Sequence, residues 1–296
     1  MNTTGNTFAI RRFQGFAVYT LQDGQTALAV VPELGGKIIS LKNLETRREW
    51  LWHPGERLAL FKNPTDAAFC DSPLTGVDEC LPTILPCDWR GRSLPDHGEV
   101  WNRSWSVDPE AWGRGILKTT IQLEMSPFVF ERRLALQEGE IDLHYRLSNV
   151  GGTDEHFLWA IHPLLRLAAG DRLELPGSTR ALLNGAAWVD DVVSGIAPQN
   201  CAKAFACPVL EGWAAVKNDI TGDRLEFAWD AVRNNSLGLW FSRGGWHGHH
   251  HFAIEPCNGD HDCLTTASGR GRCGAIAANS SIAWQLKLRL ASKSII

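Results

Sequence analysis

Towards its C-terminal end the chain reads Ile282-Ala283-Trp284-Gln285-Leu286-Lys287-Leu288-Arg289-Leu290. From Trp284 onward, apolar and polar side chains change places at every step. Successive side chains of a β-strand point to opposite faces, so this spacing predicts a strand with one dry and one wet side. Ile141-Asp142-Leu143-His144-Tyr145-Arg146-Leu147 repeats the pattern, and so do 117–124 and 223–230. Shorter apolar runs predict further strands at 17–21, 27–31, 37–41, 128–136, 155–161, 237–241 and 252–255. Asp23-Gly24, Gly35-Gly36, Gly139, Gly151-Gly152 and Gly244-Gly245 punctuate them as turns. Helical periodicity is nearly absent, and only a short helix within 64–70 is expected. Many short strands at close spacing predict an all-β fold, a large antiparallel β-sandwich with few short helices. With no linker or repeat in view, 1–296 is expected to form a single domain.

Composition narrows the function. Lys+Arg 29 against Asp+Glu 33 leaves a net charge of -4, so no basic field is present to attract a phosphate backbone, and nucleic acid is not an expected partner. The longest apolar run, 157–169, is broken by His162, Pro163 and Arg166 and is too short to span a bilayer, so no membrane partner is expected. The eight cysteines form no C-x-x-C pair, and the start of the chain lacks the pattern of a secretory signal. The expectation is a cytoplasmic protein with reduced thiols; its oligomeric state is not legible. Trp is abundant, 13 against 2 Tyr. Trp159, Trp229, Trp240 and Trp284 lie in strand patterns and are assigned to packing between sheets. Trp89, Trp101, Trp105 and Trp112 fall in or beside an irregular, Pro- and Gly-rich stretch, 60–109. Long irregular segments inside a domain are usually functional.

Three places gather reactive groups. His97 lies in Pro95-Asp96-His97-Gly98-Glu99-Val100-Trp101-Asn102-Arg103, where it either faces a ligand or simply caps a turn. His162 closes the apolar run Trp159-Ala160-Ile161 before Pro163, either aimed into a cleft at the sheet edge or satisfied in the core. The run His247-Gly248-His249-His250-His251-Phe252-Ala253-Ile254-Glu255-Pro256 carries four histidines and a carboxylate. Strand parity puts His249, His251 and Glu255 on one face and His250 on the other. A two-His-plus-Glu metal site is thinkable there, yet no ligand motif supports it, and no metal is expected. Glu255 sits where its strand should be half buried, as a base or as the partner of a cation.

Taken in order, these pieces resemble the aldose 1-epimerase (galactose mutarotase-like) superfamily. Val31-Pro32-Glu33-Leu34-Gly35-Gly36-Lys37-Ile38 is similar to its opening hairpin. Gly76-Val77-Asp78-Glu79-Cys80-Leu81-Pro82-Thr83 and Asp96-His97-Gly98-Glu99-Val100-Trp101 resemble its first-histidine loop, Ala160-Ile161-His162-Pro163 its second-histidine strand, and Ala253-Ile254-Glu255-Pro256 its catalytic-glutamate strand. The resemblance implies a β-supersandwich and cofactor-free interconversion of sugar anomers, with Glu255 as base, His162 as acid and His97 holding the ring oxygen. It further implies a small-molecule carbohydrate as partner, with Trp101 as stacking platform, Trp246 next after it, and Asp78 and Arg103 binding hydroxyls. Arg90, Arg92 and Arg103 could instead receive a sugar phosphate, or serve as solvated loop charges. Two rivals stand beside the epimerase: a carbohydrate-binding protein without turnover, and a metal enzyme built on 247–251.

Overall fold

The computed structural model describes residues 5–183 and 185–292. The segments 1–4 and 293–296, counted within the expected domain, lie outside the described residues. Alternation translates directly into strands. Ser280–Ala291 buries Trp284, Leu286, Leu288 and Leu290 while Gln285, Lys287 and Arg289 face outward. It pairs with Glu140–Asn149, and Leu286 stands opposite Leu143. Together with Phe128–Gln137, Leu117–Gln122, Arg224–Trp229 and three further strands they form an eight-stranded antiparallel sheet. A nine-stranded sheet packs against it, running in spatial order from Thr7–Phe13 through Phe16–Gln22, Thr26–Val31, Lys37–Asn43, Val77–Cys80, Ala160–Pro163, His249–Cys257 and Ser236–Trp246 to Asn200–Ala206.

One continuous apolar core fills the space between the sheets, with Phe130, Leu143, Trp159, Ile161, Leu239, Phe252, Ile254 and Leu286 among its members. Burial of this kind contributes roughly 25 cal/mol per Å² of apolar surface. The core also holds charge. Arg132 Nη1 lies 3.1 Å from Glu79 Oε1, which accepts the Tyr145 hydroxyl at 2.9 Å, while Trp159 Nε1–H donates to Glu79 Oε2 at 2.9 Å. A buried ion pair is tolerated when its remaining lone pairs are satisfied in this way.

The run 155–161 does not form one strand. It breaks into Glu155–Phe157 and Ala160–Pro163, which belong to different sheets. No α-helix occupies 64–70; a 3-10 turn, Phe69–Asp71, begins at its end, and the three short α-helices among the described residues are Pro109–Trp112, Gly177–Leu182 and Leu264–Gly269. Pro64 and the backbone bond from Ala67 N–H to its carbonyl make a turn instead. No helix among the described residues is long and apolar enough to cross a membrane.

The segment 60–109 is not irregular throughout: Val77–Cys80 is a strand of the nine-stranded sheet, Cys87–Trp89 pairs with Arg92–Leu94, Ser106–Val107 joins the eight-stranded sheet, and between them the loop around His97 lies against the nine-stranded one. Gly98 anchors it: φ is +75°, and a Cβ there would lie 2.0 Å from the Leu81 carbonyl oxygen. The close approach lets Glu99 N–H donate to that oxygen at 2.7 Å, which fixes His97 immediately beside the sheet. Gly98→Ala is expected to cost about 2–4 kcal/mol, from left-handed strain plus the clash with rigid backbone, read as a lowered urea midpoint.

Candidate active site

Parity across the nine-stranded sheet sorts core from site. Ile161, Phe252, Ile254, Leu237 and Leu239 point into the inter-sheet core. Their neighbours His162, His251, Glu255 and Gly238 point to the other face, the one covered by 60–109. A small separate apolar cluster of Cys80, Ile84, Ala160 and Cys257, with Phe205 against it, supports that face.

Glu255 is fully buried, in the middle of His249–Cys257. Its cross-strand partner is Gly238, where a Cβ would stand 2.9 Å from Oε2, so the glycine makes room for the carboxylate. Lys203, on Asn200–Ala206, places Nζ 2.9 Å from Glu255 Oε2 and 2.7 Å from Asp262 Oδ1. Burial alone would lower the Lys203 pKa, but the charges of Glu255 and Asp262 outweigh it and raise it, so the ammonium stays charged. His162 Nε2 lies 3.6 Å from Glu255 Oε1, too far for a hydrogen bond. His162 Nδ1 and Glu255 Oε1 have no hydrogen-bond partner among the described residues, while Glu255 Oε2 is held by the Lys203 ammonium.

His97 closes the other side. Its Nδ1 is 2.7 Å from Asp96 Oδ1, and its ring stacks on Phe69 with centroids 3.9 Å apart. Burial pushes the Asp96 carboxyl up, yet the hydrogen bond and charge of His97, with the Phe69 N–H, bring it below the ordinary value. The His97 and His162 rings meet edge to face at 5.3 Å. Burial first, then the neighbouring charges of His97 and Lys203, hold His162 well below the usual histidine range.

These groups frame a cavity of about 160 Å³ lined by Phe69, His97, His162, Lys203, His251 and Asp262, with Trp240 and Trp246 among its further walls. Glu255 lies beneath it, and its two nearest ionic neighbours, His162 and Lys203, are cavity walls. His251 is 2% exposed; its Nε2 accepts the Trp240 Nε1–H at 2.9 Å. Burial, with small contributions from His162 and the neighbouring histidines, drives its pKa down to about 3.

The structure therefore brings together His97, His162 and Glu255, three residues singled out in the sequence. None of the other three lines the cavity, although Asp78 stands directly opposite His162 across the sheet. Trp101 is buried below the cavity, its Nε1–H donated to the Asp96 carbonyl at 2.8 Å and its ring edge-on to Phe69, so it supports the loop and offers no open face. Asp78 is fully buried against Lys37. Arg103 reaches Glu124 at 2.7 Å. Arg90 and Arg92 are both turned to Glu155. The tryptophans also change places: Trp240, assigned to packing, lines the cavity, as Trp246 does, while Trp105 is buried in the core. Lys203, Asp262 and Phe69 carry no role in the sequence reading; strand parity places His251 on the Glu255 face, but only as a candidate metal ligand.

Among the described residues no group of three or more His, Cys, Asp or Glu is arranged to hold a metal ion. His250 is exposed on the opposite face from His251.

A histidine whose folded pKa lies below its ordinary value is neutral in both states at high pH and costs nothing there. As pH falls through about 6.5, the unfolded chain takes a proton that the native chain refuses. Stability should then fall by about 1.4 kcal/mol per pH unit for each of His162 and His251. For His251 this runs down to about pH 3. Urea midpoints at pH 7.5 and 5.5 read the slope, and His251→Gln, which keeps an acceptor for Trp240, should remove about half of it. Gly238→Ala should crowd Glu255 and the Phe205 ring, lower any turnover about tenfold and cost about 1–3 kcal/mol of stability by overpacking. A variant with unaltered turnover would show that Glu255 needs no such space.

No protein-family model matches this sequence, and no curated protein matches it. Solved structures do. A protein from Klebsiella pneumoniae described as a candidate aldose 1-epimerase superposes with a TM-score of 0.74 at 13% identity, over 98% of this chain and 84% of that one. A galactose mutarotase related enzyme from Lactobacillus acidophilus gives 0.66 at 14%, over 94% and 98%. A galactose mutarotase-like protein from Clostridium acetobutylicum gives 0.66 at 12%, over 97% and 98%. The chain has the fold of the galactose mutarotase-like proteins. At such identities the likeness speaks for the fold alone, and the chemistry rests on the site.

Proposed function

We propose that the protein is a mutarotase-type isomerase that interconverts the anomers of an aldose or aldose derivative. The observation that supports this most is the fully buried Glu255 carboxylate, held by Lys203 through Oε2, with Oε1 3.6 Å from His162, beneath a cavity whose other wall carries His97. Anomer exchange needs one group to take a proton from the C1 hydroxyl and another to give one to the ring oxygen. Glu255 is assigned as the base and His162 as the acid. As Glu255 takes the hydroxyl proton, the O–H pair becomes the second bond of a C1 carbonyl. The C1–ring oxygen bond breaks, its electrons stay on the oxygen, and His162 protonates that oxygen. Rotation about C1–C2 and the reverse transfers close the other anomer, so protons balance and no cofactor enters.

Burial that lowers the His162 pKa makes its imidazolium a stronger acid than a free one, though fewer molecules carry it. His97, oriented by Asp96 through Nδ1, is assigned to hold the ring oxygen with its other nitrogen. Trp246 and Trp240 take the stacking role, since aromatic faces suit the apolar face of a sugar ring.

Exchange NMR on a panel of sugars, corrected for spontaneous mutarotation, tests the proposal. Accelerated anomer exchange, lost in His162→Asn, is the expected outcome. Sugar binding with no acceleration for any sugar would sink it and leave the non-catalytic binding protein.

A further inference from the structure

The nine-stranded sheet ends on Thr7–Phe13, and no strand among the described residues pairs with the outer side of that edge. All seven residues are exposed, and Phe8, Ile10 and Phe13 are 40%, 51% and 40% exposed. Phe8 and Ile10 stand opposite Leu21 and Tyr19, so they prolong the core-facing side of the sheet past its last covered strand. The other sheet ends are blunted. Ser106–Val107 and Asp171–Glu174 are two and four residues long, and the pairing of Asn200–Ala206 is bulged at Asn200. Thr7–Phe13 holds unbroken register with Phe16–Gln22 and contains no Pro or Lys, two residues that natural edges use against further pairing.

Parity fixes which groups face outward. Gln14 and Gly15, at φ +48° and +88°, make a two-residue turn of the I′ type, so Phe13 and Phe16 form a hydrogen-bonded pair. Bonded pairs alternate along an antiparallel ladder, so Thr7, Ala9 and Arg11 also turn their N–H and C=O groups toward Phe16–Gln22. Ala17, opposite Arg12, has the other parity: its N–H points away from Thr7–Phe13 and donates to Glu33 Oε1 at 3.0 Å. Phe8, Ile10 and Arg12 are therefore left with outward N–H and C=O groups, and these have no partner among the described residues.

We infer that a second copy of this chain pairs antiparallel with this edge, about a two-fold axis at Ile10, and joins the two nine-stranded sheets into one. That register pairs all seven residues of the strand and gives every outward N–H and C=O a partner. Ile10 meets Ile10 of the second copy on the axis. Phe8 meets Arg12, whose guanidinium suits an aromatic face, and Ala9 meets Arg11, so no like charges stand opposite each other. Moving the axis to Arg11 or Arg12 would oppose arginine to arginine. Moving it toward Thr7 would set Arg12 and Phe13 opposite residues outside the strand. The inference is independent of the catalytic reading, since none of these residues lines the cavity above Glu255.

Sedimentation velocity of the full chain over about 5–500 µM tests it. A contact of one strand from each copy is small, so a dimer dissociating in the micromolar range is the expected result. Ile10→Lys sets two ammonium groups face to face on the axis and should weaken the dimer about tenfold or more. Ile10→Pro removes the central outward N–H, spares every bond to Phe16–Gln22, and should abolish the dimer. Val232→Lys, on a 90% exposed side chain in a turn of the other sheet, should leave it unchanged. Thermal midpoints near the parent's show that the variants fold, and Ile10→Lys stands as the test if the proline disturbs its own hairpin. Cross-linking reads the register. Position 10 faces itself at about 5.5 Å between Cα atoms, within disulfide reach, so Ile10→Cys should cross-link above the background of the native thiols under copper–phenanthroline oxidation. Phe13→Cys, which would face Thr7 of the second copy, should not. A monomer at every concentration, a dimer left intact by both Ile10→Lys and Ile10→Pro, or cross-linking through Phe13→Cys alone overturns the inference.

Discussion

Glu255→Gln should reduce catalysed anomer exchange by about 10²–10⁴-fold while sugar binding persists, because general-base assistance is typically of that size. The substitution keeps shape and volume, so it isolates the proton transfer. Gln cannot take the C1 hydroxyl proton, whereas its amide oxygen can still face Lys203, which retains Asp262 at 2.7 Å. Polarimetry from a pure anomer, with the spontaneous rate subtracted, gives the loss directly. Titration calorimetry with the same sugar shows whether the cavity survives. The companion His162→Asn should lose about 10²-fold or more. A single substitution already disables the concerted transfer, so the double variant should be little slower than the worse single one. A Glu255→Gln protein as fast as the parent on every active sugar would remove Glu255 from the reaction and leave His97 with Asp96 as the remaining acid–base pair.

How far the sequence foretold this site depends on what kind of signal each residue carries. The strands around Trp284 and Leu143 were plain because one face of each is wet and period two is visible. Asn200–Ala206 was not: Ala202, Lys203, Ala204 and Phe205 are all partly buried, with neither face clearly wet, so alternation vanished and Lys203 went unread. Val77–Cys80 hides for the opposite reason, since every residue in it is buried. His97, His162 and Glu255 were legible because their types are rare in their surroundings and their order resembled a known family. Trp101 was misplaced because the distance along the chain from His97 says nothing about orientation. Its indole is committed to the Asp96 carbonyl, and the loop turns it down onto Phe69. Which of two walls a tryptophan faces is a tertiary fact, and Trp240 shows the same limit from the other side.

Lys203 carries the other large effect. Its ammonium lies between Glu255 and Asp262, and Lys203→Met would leave Glu255 buried without its cation. Removing one member of a fully buried pair typically costs about 3–5 kcal/mol. The Lys203 side chain is 19% exposed, so water partly replaces it, and about 2–3 kcal/mol is the expected loss. In a chain of this size that lowers the thermal midpoint by about 3–5 °C. The cost comes from a stranded charge rather than from lost packing, since Met fills nearly the same stem. It should therefore be rescued by removing the charge as well. Lys203→Met with Glu255→Gln should regain more than about 1 kcal/mol over the sum of the single variants, because residues in direct contact couple by that amount. Glu255→Gln alone should cost less than Lys203→Met, since Lys203 keeps Asp262. The asymmetry separates this account from simple loss of a surface ion pair, where both singles would cost under about 1 kcal/mol and add. Additive single variants would mean that solvent, rather than Lys203, stabilises the carboxylate, and the site would then be wetter than its burial implies.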